Sequence, residues 1–357
     1  MGTCAVNHYL YYILTLGLYF FVYCLLGLGY NLQYGLAGIH NVANYIFVAF
    51  GAYITAVTSL GPSNSLVQSY ILGTNIAWPL PLLVGAASGA FMSLLLGFIF
   101  LWKLKYQYQA IVTLVIAQVA LLLIGNSTGL FNGFNGLAGV PQPLESVVNL
   151  APVPYEAFFV GISAICALLG FAFMRRVVRS PLGRVLRSIR EDESVASGFG
   201  RNVFRQQMLA FMVAGAMAGL GGGLLVEYLG SWTPGGWSTA EGFVVIAALI
   251  IGGTANNVGA ALGAFIVPVL IYELTAFIPS FGPINSQTID AFRWIAMGLM
   301  VLLFLWFRPQ GVLPEPRRHF RLVDRILSGQ DPMPGKELSL SEAVHGSDVV
   351  SDAKDAT

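Results

Sequence analysis

The chain has 357 residues, of which 56% are hydrophobic and only 10% are charged, and its formal net charge is +1. Soluble globular proteins carry charge on about a quarter of their residues. No Asp, Glu, Lys or Arg precedes Lys103, and that uncharged stretch is several times the ~20 residues that cross a bilayer once. The composition therefore predicts a polytopic membrane protein. It excludes a soluble enzyme, a secreted disulfide scaffold and, for want of a basic patch, a nucleic-acid-binding protein.

Apolar segments of spanning or nearly spanning length follow one another along the chain. They are continuous and do not alternate with a period of two, which favours helices over a β-barrel. The segment 242–252 is too short to cross alone, so we expect it to form a broken or re-entrant span with its neighbour. The prediction is an all-α fold with about nine transmembrane helices, within a range of eight to ten. The segments cover 8–29, 41–60, 78–101, 108–125, 156–174, 207–229, 242–252, 256–274 and 291–307.

The basic residues predict how the chain is oriented in the membrane. They cluster at 103–105, within 175–206 and within 308–325, and two further lysines follow in the C-terminal tail. If alternate loops are cytoplasmic, every one of these falls on the cytoplasmic side and only Arg293 falls outside. Because cytoplasmic loops are enriched in Lys and Arg, this partition predicts a cytoplasmic C-terminus and, with nine spans, an N-terminus outside.

The C-terminal tail differs in composition from the rest of the chain. It is rich in Ser, Gly, Pro and acidic residues from 326 onward, which is typical of disordered segments. We therefore expect a transmembrane domain at 1–315 and a disordered cytoplasmic tail at 316–357. No phosphate-binding G-x-x-x-x-G-K-[ST] loop occurs anywhere in the chain, and neither its cysteines nor His40 have metal-ligand spacing, so we expect no cofactor and no metal.

The first polar interruption of the apolar pattern is "GLGYNLQYGLAGIHNVAN" at 27–44. Glycines permit unwinding, and uncharged amides supply both hydrogen-bond donors and acceptors. One interpretation is a discontinuous helix that lines a solute pathway; the other is an ordinary polar loop between two spans. On the first interpretation the amides lie on a solvated surface. The candidate pathway residues here are Asn31, Gln33, Gly35, Gly38 and Asn41.

A second interruption, "GGTANNVGAALG" at 252–263, supplies the candidates Thr254, Asn256 and Asn257. Paired interruptions in corresponding halves indicate a binding site in transporters built from internal repeats. The two stretches are only weakly similar, so an internal repeat stays a hypothesis. Small residues at four-residue spacing allow close helix packing in lipid. We interpret them as core contacts, with a dimer contact as the alternative: Gly215, Gly219 and Gly223, Gly85 and Gly89, Gly259 and Gly263.

The acidic residues of the membrane part fall in predicted external loops or near external helix ends. They include Glu145, Glu156, Glu227, Glu241, Glu273 and Asp290. Proton-coupled transporters need ionisable groups within the membrane, so the pattern favours transport driven from elsewhere. No Ser/His/Asp or H-E-x-x-H arrangement is present, so we do not expect an enzyme.

The segment 175–206 is the longest internal cytoplasmic segment of the predicted topology. Pro181 and Gly183 are expected to end the preceding helix, and the following stretch has helix-forming character up to Gly198 or Gly200. A short charged helix between two spans can be a solvated connector. It also has the form that docks into a groove on a cytoplasmic partner.

Several motifs occur together in this chain. They are "GLGYNLQYGLAGIHNVANYIFVAFGAY" at 27–53, "YQYQAIVTLVIAQV" at 106–119, "NGLAGVP" at 135–141, "LGRVLRSIREDESVASGFGRNVFRQQMLAFMVAGAMAGLGGGL" at 182–224 and "FRPQGVLPE" at 307–315. In this order they resemble the permease subunits of branched-chain amino acid ATP-binding cassette (ABC) importers, in the LivM-type branch. The chain departs from the family pattern at Asn256-Asn257 and at Glu227.

The resemblance implies a non-catalytic permease with an ABC importer fold in the bacterial cytoplasmic membrane. It implies a homologous LivH-type permease subunit, two cytoplasmic ATPase subunits and an external solute-binding protein as partners. The expected function is translocation of branched-chain amino acids or similar small solutes by alternating access. The alternatives are a urea or short-amide permease and a passive channel. A passive channel would not co-purify with ATPase subunits. The residues that the resemblance assigns to ATPase contact are Arg190, Glu191, Asp192, Glu193, Gly198 and Gly200.

Overall fold

The computed structural model describes residues 2–63, 68–102, 104, 106–144, 152–272, 286–308 and 310–315. All of these belong to one compact unit, Met1–Glu315. The predicted disordered tail lies outside the described residues. The helices are α1 (Gly2–Tyr30), α2 (Asn44–Ser59), α3 (Leu80–Phe100), α4 (Tyr106–Asn126), α5 (Thr128–Phe131), α6 (Pro152–Arg179), α7 (Pro181–Glu191), α8 (Glu193–Gly198), α9 (Val203–Leu229), α10 (Thr239–Gly252), α11 (Asn257–Ala264) and α12 (Ser286–Phe307).

The fold is helical throughout its apolar segments, as the sequence predicts. Among the described residues, six helical segments are long and apolar enough to cross a membrane, and three apolar helices are shorter. The segment predicted at 242–252 begins earlier, at Thr239, and α10 packs against α11 across the break at 253–256. The prediction that this segment is too short to cross alone is therefore wrong, because Pro234–Gly252 is one of the six segments long enough to cross a membrane, although α10 does pack against its neighbour α11. Two stretches widen into π-helix, Asn31–Leu36 after α1 and Phe265–Tyr272 after α11.

The centre of the fold is a close contact of α2, α3 and α9, made possible by glycine. A Cβ added to Gly219 would lie 2.5 Å from the carbonyl oxygen of Gly85, and one added to Gly215 would lie 2.5 Å from the Cβ of Ser93. Backbones approach so closely only where side chains are absent. The predicted core role of these glycine stripes is confirmed. Around them, Phe211 packs edge-on against Phe47 and Phe100.

The connections gather at two opposite ends of the helices. At one end, which we call the β end, strand β1 (Leu137–Ala138) pairs antiparallel with β2 (Ser231–Trp232). At the other, which we call the basic end, α7 and α8 contact the π-helix after α1 and the start of α9. Since α9 has 27 residues and rises about 1.5 Å per residue, the two ends are about 40 Å apart.

The predicted connector helix in 175–206 is in fact two helices. The preceding helix ends at Arg179, just before Pro181, as predicted. Pro181 itself begins α7, because its fixed φ and missing N–H suit the first helical position, and Gly183 lies inside α7. The chain then breaks at Asp192, whose extended backbone stops α7 and whose carboxylate caps α8. The prediction of one continuous helix across 190–198 is therefore wrong, although its predicted end at Gly198 is confirmed.

Two of the acidic residues that we expected at external helix ends are buried. Glu227 lies near the last turn of α9 and is 2% exposed, and Glu156 in α6 is 7% exposed. Their position near helix ends agrees with the sequence, but their burial does not follow from it. Glu145 and Glu273 lie outside the described residues.

Candidate functional site

The basic end contains a cavity of about 690 Å³ that brings together residues from both predicted sites. Tyr34, Gly35 and Gly38 form one wall after α1, and Thr254 adds the second helix break. The opposite wall is the segment 189–194, which includes four of the six residues predicted to contact an ATPase. Predicted pathway and predicted coupling residues therefore share one space.

The first helix break is held by buried amides. Asn41 donates from Nδ2 to Gln33 Oε1 at 3.0 Å, and the Ala43 amide donates to Asn41 Oδ1 at 2.9 Å. Asn31, Gln33 and Asn41 are all 0% exposed. The prediction that these amides lie on a solvated surface is wrong in this conformation. A backbone that leaves helical geometry frees polar groups that need partners, and the amides supply them.

The two helix breaks are joined to each other. Asn31 donates from Nδ2 to Asn257 Oδ1 at 3.1 Å, and its own Oδ1 accepts from the Ala255 amide at 2.8 Å. Gly35 allows this approach, because a Cβ there would lie 2.5 Å from the Ala255 nitrogen. Asn31, Gly35 and Asn257 thus form a joint between the breaks, which we call the amide joint.

The second break turns sharply and then restarts a helix. Gly253 has a φ of +116°, a conformation that side chains rarely adopt. Asn256 then caps α11, accepting from the amides of Val258 at 3.0 Å and Gly259 at 3.4 Å. Its Nδ2 also donates to the carbonyl of Pro314 at 3.1 Å. Asn256 therefore ties the break to the chain that follows α12.

The segment 310–315, which follows α12, forms hydrogen bonds with the end of α10. The amides of Val312 and Leu313 donate to the carbonyls of Ile251 and Gly252 at 2.8 and 3.0 Å. A helix leaves its last carbonyls without internal partners, and these two bonds satisfy them. Sequence reasoning noted this segment only as part of the family resemblance and did not place it at the site.

Arg190 makes contacts within the protein, and its side chain is 27% accessible. Its guanidinium donates to the Gly35 carbonyl and, at 2.8 Å, to Glu315 Oε2. Arg187 donates from Nε to the other oxygen of the same carboxylate at 3.1 Å. Arg190 therefore connects α7, the amide joint and the segment 310–315, and we call this contact the arginine bridge. The ion pair of Arg190 with Glu315 was not predicted from the sequence, and the expected contact of Arg190 with an ATPase stays a prediction.

The outer face of α7 and α8 forms a separate groove of about 470 Å³. Phe199 is 82% exposed and Val195 is 53% exposed at its edge. Large exposed apolar side chains grouped in this way indicate a protein contact. The remaining residues predicted to contact an ATPase are exposed beside it: Glu191, Asp192, Glu193, Gly198 and Gly200. Sequence reasoning missed Val195 and Phe199, although their four-residue spacing within a charged segment was readable.

The Asp192 carboxylate shapes this face. Its Oδ1 accepts from the Ser194 hydroxyl at 2.6 Å and from the amides of Ser194 and Val195 at 2.9 and 3.0 Å. The Ser194 hydroxyl and these amides lower the pKa of Asp192 below its usual range, because they stabilise the charged form. The cap is therefore ionised at neutral pH.

Comparison with known proteins gives consistent matches over most of the chain. The chain is 30% identical over 329 residues to the high-affinity branched-chain amino acid transport system permease protein LivM of Salmonella typhimurium, covering 87% of this chain and 72% of that protein. It is 27% identical to the probable LivM of Methanocaldococcus jannaschii, covering 84% and 92%, and 23% identical to LivH of Salmonella typhimurium, covering 82% and 92%. No solved structure gives a significant match.

A family match extends over nearly the whole membrane part. Residues 12–306 match the family described as "Branched-chain amino acid transport system / permease component". This range includes both helix breaks, the arginine side of the arginine bridge and the groove of α7 and α8. The chain belongs to this family of branched-chain amino acid transport permeases.

Proposed function

We propose that this chain is the membrane-spanning permease subunit of an ABC importer for branched-chain amino acids or similar small solutes, and that it works by alternating access. As a member of its family, the chain is a multi-pass membrane transport subunit without a catalytic role of its own. The single observation that carries the proposal is the cavity at the basic end, where both helix breaks adjoin the segment 189–194. The relatives' names supply the substrate class.

The proposed partners follow from the groove and from the relatives. The exposed Val195 on α8 and Phe199 directly after α8 suit a cytoplasmic ATPase subunit, since apolar residues with a charged rim are typical of interfaces. The chain is similar to both LivM and LivH permeases, which supports pairing with a second homologous permease. Two ATPases and an external solute-binding protein complete the proposed assembly.

The proposed orientation places the basic end in the cytoplasm of a bacterium. The loop 175–206 carries eight arginines and lies at that end, and basic loops are retained on the cytoplasmic side. The segment 308–315 lies at the same end, so the C-terminus is proposed to be cytoplasmic. On this basis we keep 1–315 as the permease domain of the cytoplasmic membrane and 316–357 as its cytoplasmic tail.

The arginine bridge suggests how ATPase movement reaches the solute pathway. Arg190 holds the Gly35 carbonyl and Glu315 together, and Gly35 packs against Ala255 of the second break. A shift of α7 caused by the ATPase would therefore move both breaks together and change access to Thr254 and Gly38 in the cavity. A ligand shifts such an equilibrium only by its differential affinity for the two states, so the groove must bind the ATPase differently in each.

Reconstitution tests the function directly. The full complex, with both permeases, two ATPases and the binding protein, is placed in liposomes and offered radiolabelled leucine, valine or urea. We expect ATP-dependent accumulation of leucine and valine and no accumulation of urea. Accumulation of urea in place of leucine would establish the short-amide alternative, and ATP-independent equilibration would establish a passive channel.

A further inference from the structure

A second, smaller cavity lies toward the β end and does not include the amide joint. It has a volume of about 230 Å³ and is bounded by α1, β2 and the stretch after it, α9, α10 and Pro268 of the second π-helix. Tyr23 on α1 lines it, and Tyr23 is about 12 Å along the helix from Asn31 of the amide joint, at about 1.5 Å per residue. Nothing in the proposed transport cycle described above uses this cavity.

One end of the cavity places a carboxyl group among aromatic rings. Tyr23 donates its hydroxyl to Glu241 Oε2 at 3.0 Å. The ring of Trp237 lies 5.9 Å from that of Tyr23 and 6.2 Å from that of Trp232. A carboxylate can accept several hydrogen bonds at once, and aromatic faces attract cations. This combination suits an ammonium group.

Two tryptophans that line the cavity have buried indole N–H groups without hydrogen-bond partners among the described residues. Trp232 and Trp237 are 3% and 5% exposed, and neither indole Nε1–H has a hydrogen-bond partner among the described residues. A buried donor without a partner is costly, so such groups require an explanation. Indole nitrogens only donate, and the complementary ligand group is an acceptor such as a carboxylate.

The remaining wall and the size of the cavity limit the rest of the ligand. Leu225 and Leu229 give it an apolar side. Pockets for drug-sized ligands have volumes of about 300–1,000 Å³, so a cavity of about 230 Å³ suits a smaller solute. A ligand with an ammonium group, a carboxylate and a short aliphatic side chain meets all three requirements.

We propose that this cavity is an outer binding site for a small aliphatic α-amino acid, whose ammonium group binds at Glu241 and the ring of Trp237. The indole N–H groups of Trp232 and Trp237 bind its carboxylate when the surrounding side chains open. The choice of an amino acid rests on the proposed function. Because the β end is opposite the basic end, a solute entering from outside would meet this site before the cavity at the amide joint.

Equilibrium binding to the intact complex tests the site. The complex, without binding protein or nucleotide, is held in lipid nanodiscs and titrated with radiolabelled leucine. We expect saturable binding that Glu241→Gln weakens at least tenfold, because the neutral amide keeps the shape and the Tyr23 contact but loses the charge. Glu156→Gln is the matched control, a buried carboxylate of the neighbouring α6 that does not line this cavity, and it should bind leucine as the parent does.

Competition by leucine analogues identifies the recognised groups. Isopentylamine keeps the ammonium group and should compete with leucine, whereas 4-methylpentanoate keeps only the carboxylate and should not. Parent-like binding by Glu241→Gln, or equal competition by 4-methylpentanoate, would overturn the site. So would ATP-driven leucine uptake without any saturable binding to the nanodisc complex, and the proposed function would then stand. Failure of leucine uptake itself would instead overturn the proposed function.

Discussion

Arg190 shows how one side chain can join three distant parts of a membrane protein. Its partner Glu315 is separated from it by 125 residues and the Gly35 carbonyl by 155. Arginine suits this position because its planar guanidinium presents several donors in fixed directions, whereas lysine is a point charge. The two Glu315 ion pairs are partly exposed, with side chains 19–34% accessible, so we attribute the importance of the residue to geometry more than to net stabilisation.

Replacing Arg190 by lysine should weaken the coupling of ATP hydrolysis to uptake without dissociating the ATPase subunits. The variant keeps the charge but cannot reach both partners, and we expect a loss of about 1 kcal/mol in coupling, or roughly fivefold slower ATP-driven uptake. ATPase subunits should still co-purify, because the groove is unchanged. Arg179→Lys, at an exposed site beyond the bridge, is the matched control. Uptake by Arg190→Lys equal to that of Arg179→Lys would remove the bridge from the mechanism.

Gly35 should be sensitive to the smallest possible enlargement. An added methyl group would collide with the Asn31 side chain and the Ala255 backbone, and such overpacking costs about 1–3 kcal/mol. We expect Gly35→Ala to lower the apparent unfolding temperature of the detergent-solubilised protein, followed by size-exclusion chromatography after heating. Gly161→Ala on α6 has open space around it and should be neutral or stabilising. Equal unfolding temperatures for the two variants would contradict the amide joint.

The close packing at Gly35 and Gly38 limits what a glycine substitution can show about the solute pathway. Bulky residues at Gly35 and Gly38 are expected to reduce uptake whether or not the segment lines the pathway, because Gly38 has a φ of +68° and adjoins Arg190. Thr254 lines the cavity and is not among the residues of the amide joint. It is therefore the better position at which to test pathway membership.

At the scale of elements, the segment of α7 and α8 presents charged residues on one face and apolar residues on the other. The inner face carries Arg187 and Arg190 toward Glu315, and the outer face presents Val195 and Phe199. The break at Asp192 allows α8 to take its own direction, which places Phe199 beside Pro181 in one groove. Of the charged start of this segment, Arg190 makes internal contacts, whereas Glu191, Asp192 and Glu193 are exposed.

Phe199→Ser should weaken ATPase docking. Burial of a phenylalanine side chain contributes about 1.5–3 kcal/mol, so we expect roughly 10- to 150-fold weaker association, at about 1.4 kcal/mol per factor of ten. This change is measured as the affinity of the purified ATPase for the permease in lipid nanodiscs. Phe134→Ser at the β end is the control, since Phe134 is also exposed, at 57%. If both variants bind the ATPase like the parent, Phe199 is not a docking residue.

The cap at Asp192 should make α8 sensitive only to strongly acidic conditions. Its folded pKa lies below the usual value, so its stabilisation is fully present above the unfolded pKa of about 3.9 and is lost as the pH falls through the lowered folded value. Hydrogen-exchange protection of the Ser194 and Val195 amides should be constant from about pH 8 to pH 5. Asp192→Asn should retain most protection and Asp192→Ala should lose it. Loss of parental protection between pH 7 and pH 5 would contradict the cap.

The limits of sequence reasoning are visible at this scale. The apolar segments were predictable because lipid requires continuous apolar helices with internally satisfied backbones. The positions of the two breaks were predictable because Gly and Asn interrupt that pattern. The contact between the two breaks was not predictable, since Asn31 and Asn257 are 226 residues apart and nothing in the local sequence distinguishes a buried amide pair from a solvated one. The internal contacts of Arg190 depended in the same way on a distant carboxylate.

For the whole molecule, the separation of two ends organises the proposed function. The basic end gathers both helix breaks, the arginine bridge and the groove. The β end gathers the short sheet and, near it, the aromatic cavity with Glu241. Entry, passage and coupling are thereby assigned to successive levels of one helical bundle.

Labelling with an impermeant thiol reagent tests this arrangement. In a cysteine-free background, Asn135→Cys at the β end and Ser188→Cys on α7 both place an exposed residue in solvent. We expect position 135 to react in intact cells and position 188 to react only after permeabilisation, because the basic loop is retained inside. Reaction at position 188 in intact cells would invert the proposed orientation.

The bonds from Val312 and Leu313 to the end of α10 have a consequence for biosynthesis. A ribosome releases residues 251 and 252 well before residues 312 and 313, so the carbonyls at the end of α10 gain these partners only after α12 has been made. Glu315 likewise reaches Arg187 and Arg190 only at that moment. A chain truncated before residue 310 would insert all its described helices yet leave its basic end unfinished. The end of α10 and the arginine bridge therefore form only after the segment 310–315 has been made.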